Sequence, residues 1–126
     1  MSYPRMNSAI NQYQSVGAAS ANYADPHRLV QMLMEGFLDR VARAKAAINA
    51  TQLQPQRAEL TRCIDIIGAL RGSLHHGHGG ELAANLEALY DYIQRRLVVA
   101  NLHNDLEVLD EVATLLREVK QGWDAI

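Results

Sequence analysis

The order of apolar residues along the chain predicts an all-α fold: an antiparallel up-down four-helix bundle preceded by a short N-terminal helical segment. Three observations lead there. Four long stretches place apolar side chains at the three-and-four spacing of a helix face, while none holds a strand's two-residue alternation long enough to compete. The connections between these stretches are short, which obliges successive helices to pack as antiparallel neighbours. A chain of 126 residues also fits one domain with a single core, burying roughly two-thirds of the unfolded chain's surface.

Residues 1–22 form the predicted N-terminal segment and residues 23–126 the bundle. Met6, Ile10 and Tyr13 share one face of a helix too short to be stable alone, and Gly17 to Asn22 reads as a flexible linker of small residues. Asp25-Pro26 opens the first long helix, with Asp as N-cap and Pro at the first helical position, where no N–H is needed. Leu29, Val30, Leu33, Phe37, Val41, Ala44 and Ile48 are its stripe, to about Ala50. Thr51 to Gln54 is the connection, and Pro55 opens a second helix striped by Leu60, Cys63, Ile64, Ile67, Leu70 and Leu74. That helix stops in His75-His76-Gly77-His78-Gly79-Gly80, where glycine favours termination. The third runs from Glu81 to Leu102. Asn104 with Glu107 has the spacing of a capping box for the fourth, which packs through Leu106, Leu109, Val112, Ala113, Leu116, Val119 and Trp123.

The third helix carries more apolar surface than one packing face requires. At about 100° per residue, Leu82, Leu86, Leu89, Tyr90, Ile93, Leu97 and Ala100 fall on one core-facing arc. Ala88, Tyr92, Val99 and Leu102 fall on a second, roughly opposite, with Arg95 among them. Val108, Leu115 and Ile126 widen the apolar arc of the fourth helix, and Met32 and Leu38 lie off the core arc of the first. Surplus surface of this kind marks a protein interface more often than a catalytic cleft. Tyr92 has two readings of equal weight, packing a flank of the core or facing a partner. Arg95 and Arg96 read first as solvated or ion-paired positions.

Composition narrows the function classes. A hydrophobic share of 48% with 21% charged residues describes a soluble globular chain. The net charge of -2 argues against nucleic acid, which asks for a clustered basic surface. No apolar run is long enough to insert in a membrane, and Met1 to Asn22 lacks the apolar block of a signal peptide. The lone Cys63 cannot form an internal disulfide, so a cytoplasmic location is expected; on the core stripe it reads as a small buried hydrophobe. His75, His76 and His78 have the chemistry of metal ligands, but a solvated helix end accounts for them more simply. The Glu-x-x-His pairs of a di-metal bundle are absent. So are a mid-helix phosphoaccepting histidine and the lysine of a nucleotide loop. No nucleophile, base and orienting partner assemble. Neither an enzyme nor a cofactor is expected, and no catalytic or metal site.

Specific motifs carry a family resemblance. Gly79-Gly80-Glu81, Asn85-Leu86, Leu89-Tyr90-Asp91-Tyr92, Arg95-Arg96-Leu97 and Ala100-Asn101 occur in order, with Tyr13-Gln14, Pro26-His27, Leu29, Met32-Leu33 and Trp123 outside them. The set resembles the flagellar secretion chaperones of the FliS type and spans about Tyr13 to Trp123. The resemblance implies a cytoplasmic chaperone for bacterial flagellum biogenesis and type III protein export. Such a chaperone binds the C-terminal helical segment of flagellin, prevents premature polymerisation, and assists delivery to a component of the flagellar export gate. Combined with the surplus surface, it nominates Ile10, Tyr13, Met32, Tyr92, Arg95, Val99, Leu102 and Leu115 as client-binding residues. Self-association of the free chain as a homodimer through the same surface stays open, as does a metal or redox role for the histidine loop and Cys63.

Overall fold

The computed structural model describes residues 25–74 and 80–126, and contains the four expected helices: α1 (Pro26–Asn49), α2 (Leu53–Leu74), α3 (Gly80–His103) and α4 (Leu106–Asp124). Helix α1 packs on α2 and α4, and α3 packs on the same two, while the diagonal pairs make no close approach. The helices therefore stand at the corners of an antiparallel square. The expected N-terminal helix with Met6, Ile10 and Tyr13, its linker, and the histidine loop lie outside the described residues.

The core fills the middle of the square. Phe37, Val41, Leu60, Cys63, Ile67, Ile93, Leu97, Leu109, Val112 and Leu116 are essentially inaccessible to solvent, each from an expected stripe. Helices α2 and α4 are buried over wider arcs than those stripes. Ile66 and Ala69 join the core of α2, and Val108, expected on a flank, is 4% exposed because α4 is packed between α1 and α3.

The two ends of the bundle are built differently. At one end lie the short links from α1 to α2 and from α3 to α4, closed by the same device. Thr51 (φ 55°) and Asn104 (φ 53°) are left-handed. The next amide in each case donates back to the helix, Gln52 N to Ala47 O at 2.8 Å and Asp105 N to Ala100 O at 3.2 Å, satisfying carbonyls that would otherwise lack partners. Asn104 thus ends α3 rather than capping α4. The N-cap is Asp105, whose Oδ1 accepts from Glu107 N at 3.1 Å and Val108 N at 3.3 Å. Helix α2 begins at Leu53, ahead of Pro55, because a proline in the first turn removes no intrahelical hydrogen bond. Gln56, only 3% exposed, links the two loops: its Nε2 donates to Asn104 Oδ1 at 2.6 Å, with Asn101 O and Oδ1 at 3.4 Å.

At the other end, where α1 and α3 begin and α2 and α4 finish, the stripes outrun the cover that the described residues give them. The buried residues of α3 begin only at Tyr90. Leu86 and Leu89 are half-buried, and Leu82, expected in the core, is 64% exposed.

Two stability measurements follow. Ile93→Ala should cost about 2–5 kcal/mol through lost burial plus a cavity, and Leu86→Ala distinctly less; equal shifts in denaturant midpoint would place both in one core. Thr51→Gly should stabilise by about 1 kcal/mol by relieving a left-handed β-branched residue, and a lower midpoint would contradict that origin.

Candidate functional site

The unfinished end of the bundle is an apolar pocket of about 220 Å³. All four helices line it: Val30 and Met34 from α1, Leu70, Ser73 and Leu74 from α2, Leu82, Ala83, Leu86 and Tyr90 from α3, and Val119 and Trp123 from α4. Ser73 Oγ is turned inward on its own helix, donating to Leu70 O at 2.7 Å. Little in the pocket can orient a polar ligand. It can take up apolar side chains, the task of a helix-receiving groove.

One rim of the pocket is a closed clasp between the start of α1 and the end of α4. The rings of His27 and Trp123 stack with centroids 4.9 Å apart. Each side chain also bonds the other's backbone: Trp123 Nε1 donates to His27 O at 3.0 Å, and His27 Nε2 lies 2.7 Å from Trp123 O. A carbonyl only accepts, so Nε2 carries the proton. Outside this pair, Gln31 Nε2 and Lys120 Nζ both reach Asp124 at 2.7 Å. Those two donors hold the Asp124 carboxyl below the usual carboxylate range, the Lys120 hydrogen bond being the larger cause.

The nominated residues are not gathered in one place. Ile10 and Tyr13 lie outside the described residues. Met32 and Leu115 are half-buried, on α1 and α4. On α3, Val99 is half-buried and Leu102 is 72% exposed. The Tyr92 hydroxyl donates to Glu111 Oε2 of α4 at 2.6 Å, and that hydrogen bond raises the phenol's pKa. Arg96 Nε binds the other oxygen of Glu111 at 3.2 Å. Arg95 is paired with Asp91 at 3.0 Å and lies 5.9 Å from the Tyr92 ring centroid, within cation–π range. Tyr92 therefore bridges α3 to α4 while its ring edges the outer face.

Reading the sequence missed the pocket. Val30, Leu74, Leu82, Leu86, Val119 and Trp123 were all assigned to core stripes, and all but Leu82 do pack against the core. The available signal was position: each lies in the terminal turns at the end opposite the short loops. Leu53 and Val98, each 50% exposed, were also passed over.

Among the described residues no reactive chemistry assembles at the pocket. Burial pushes the Cys63 thiol far above its usual range, Glu59 adding to the effect, so its reactive thiolate is suppressed. Among the described residues no group of three metal-ligating side chains comes together, and no helix is long and apolar enough to cross a membrane.

Comparison with known proteins points one way. The family model described as "Flagellar protein FliS" matches residues 8–126. The chain is 49% identical over 119 residues to the flagellar secretion chaperone FliSB of Pseudomonas aeruginosa, covering 94% of each chain. It is 37% identical over 122 residues to the flagellar secretion chaperone FliS of Vibrio cholerae, covering 96% of this chain and 90% of that one. The FliS of Bacillus subtilis is 34% identical over 113 residues, covering 90% and 84% respectively.

The pocket wall has a titration signature. Burial raises the Tyr90 phenol from 10.0 to about 12. A raised folded-state value means the folded chain keeps a proton that the unfolded chain releases, so this contribution to stability is intact below pH 10.0 and is lost as pH rises toward about 12. Stability of the wild type should fall more steeply across that window than stability of Tyr90→Phe. Parallel profiles would show the phenol to be solvated.

Proposed function

The chain belongs to the FliS family of flagellar secretion chaperones, and on that premise we propose that it acts in the cytoplasm by holding the C-terminal helical segment of flagellin. Holding that segment keeps the client unpolymerised and assists its delivery to a component of the flagellar export gate. The family is one of chaperones rather than enzymes, and holding a client needs neither nucleotide nor cofactor.

The observation that carries the reading is the pocket at this end, where the apolar stripes of four helices meet with no described residue covering them. A client segment disordered alone can fold there as an amphipathic helix, apolar burial offsetting the cost of ordering it. The exposed Leu102 with Val99, the ring of Tyr92, Arg95, and the half-buried Met32 and Leu115 extend the contact along the outer faces. Residues 1–24 join the bundle at Asp25, at the same end as the pocket. The stripe of Met6, Ile10 and Tyr13 is suited to shield apolar surface there until the client arrives.

A second reading is favoured by a separate feature. Leu53, Val98 and Leu102 are exposed toward the end with the short loops, and a homodimer of the free chain would cover them. Sizing at increasing concentration, with and without a flagellin C-terminal peptide, separates dimer from client complex.

Substitution tests the client reading directly. Leu82→Asp and Leu102→Asp alter side chains already in water, so helix content should stay unchanged. Val99→Asp, at a half-buried position, should also fold. In an interface each would bury an unpartnered carboxylate, and affinity for the flagellin C-terminal segment should drop about tenfold or more. Normal binding by folded Leu82→Asp would remove the pocket from the site, and normal binding by the other two would remove the outer face of α3.

A further inference from the structure

We propose that the first part of α3, Gly80–Leu89, is a moving wall of the pocket, hinged at Tyr90 and retained by Arg71. Its use in admitting a client rests on the reading above, whereas its motion belongs to the free chain.

Helix α3 is two halves with different anchorage. From Tyr90 onward it places Tyr90, Ile93, Leu97 and Ala100 in the core at 2% exposure or less. Before Tyr90 it buries no residue, although Leu82, Leu86 and Leu89 share the same arc. Local freedom follows from a shortage of buried apolar contacts, and the first half of the helix has only the partly buried Leu86 and Leu89 against the core, with no fully buried side chain. Leu82, Ala83 and Leu86 on the free half line the pocket, and a shift there changes its width.

The polar ties to α2 grade in the same direction. Arg71, on α2, donates to Gln94 Oε1 at 2.7 Å, reaches Asp91 Oδ1 at 3.5 Å, and lies 3.8 Å from Glu87. Gln94 is fixed in turn, donating from Nε2 to Ile64 O at 3.2 Å. Contacts to one guanidinium thus lengthen toward the start of α3, as they would if the two helices part there. At its very start Gly80 has φ +54°, a left-handed conformation in which a side chain is strained. Arg71 is in this account a positioning residue: bound at the hinge, it limits how far the wall departs through its long contact to Glu87. The wall opens as that contact breaks and closes as it reforms, without disturbing the core below Tyr90.

Distance distributions between spin labels on the free, full-length chain test this. Arg62, Ala84 and Val98 are exposed, and Cys63 is buried beyond reach of the label. Labels at Arg62→Cys with Ala84→Cys span α2 to the wall; labels at Arg62→Cys with Val98→Cys span α2 to the anchored half. The first distribution should be about twofold wider than the second, and Arg71→Met should broaden only the first. Equal widths, or equal broadening of both pairs by Arg71→Met, would overturn the proposal, the latter by making Arg71 a general packing residue. With the flagellin C-terminal segment added, the first pair should narrow to a single longer distance; binding that leaves it unchanged would overturn the wall's role in admission. If the segment does not bind at all, the client reading fails while the free-chain widths still decide the motion.

Discussion

Every feature above depends on where the four apolar stripes meet and where they stop meeting. In the middle of the square they converge on inaccessible side chains such as Phe37, Leu60, Ile93 and Leu116, and that layer holds the antiparallel arrangement. Such burial is worth roughly 1.5–3 kcal/mol for each large side chain, far more than the surface ion pairs, which are worth little individually. The pairs joining Lys45 to Asp110 and Arg40 to Glu59 accordingly align helices that the core already holds together.

Two ends of contrasting character follow from that layer. One is finished locally by left-handed residues at Thr51 and Asn104 and by Gln56 between the loops. Asp105 then restarts the chain as α4. At the other, among the described residues, α1 meets α4 through His27 and Trp123. Between α2 and α3 a polar link there is graded along Arg71. The proposed function would use this division: a buried middle that keeps the bundle's shape, and an apolar end that receives the client. Among the described residues the pocket is lined largely by partly buried side chains that pack against the core, so under the proposed function the side chains that help stabilise the fold are also those that would meet the client.

Much of this was legible in the sequence. Helix number, order and the centre of each stripe followed from periodicity, because those residues face neighbours on every turn. Boundaries at the loops shifted by a residue or two, since Asn104 and Asp105 both have capping chemistry and only backbone conformation separates their roles. Leu82 was misplaced for a deeper reason. Periodicity states which way a side chain points, but burial depends on whether a neighbouring helix extends that far. Tyr92 shows the converse, an outward position whose hydroxyl is engaged by Glu111 from another helix, a pairing that spacing within one helix cannot reveal. The nominated Ile10 and Tyr13 rest on the pattern of the N-terminal segment and the family resemblance.

The central claim is that the unfinished end of the bundle receives the client. Methyl resonances of the isotope-labelled chain, followed as a flagellin C-terminal segment is added, test it without altering any residue. Val30, Leu74, Leu86 and Val119, which line the pocket from four different helices, should shift together and saturate at one stoichiometry, while the core methyls of Leu60 and Leu109 move little. Saturating shifts confined to the opposite end, around Leu53 and Val98, with the pocket methyls unmoved, would contradict the account.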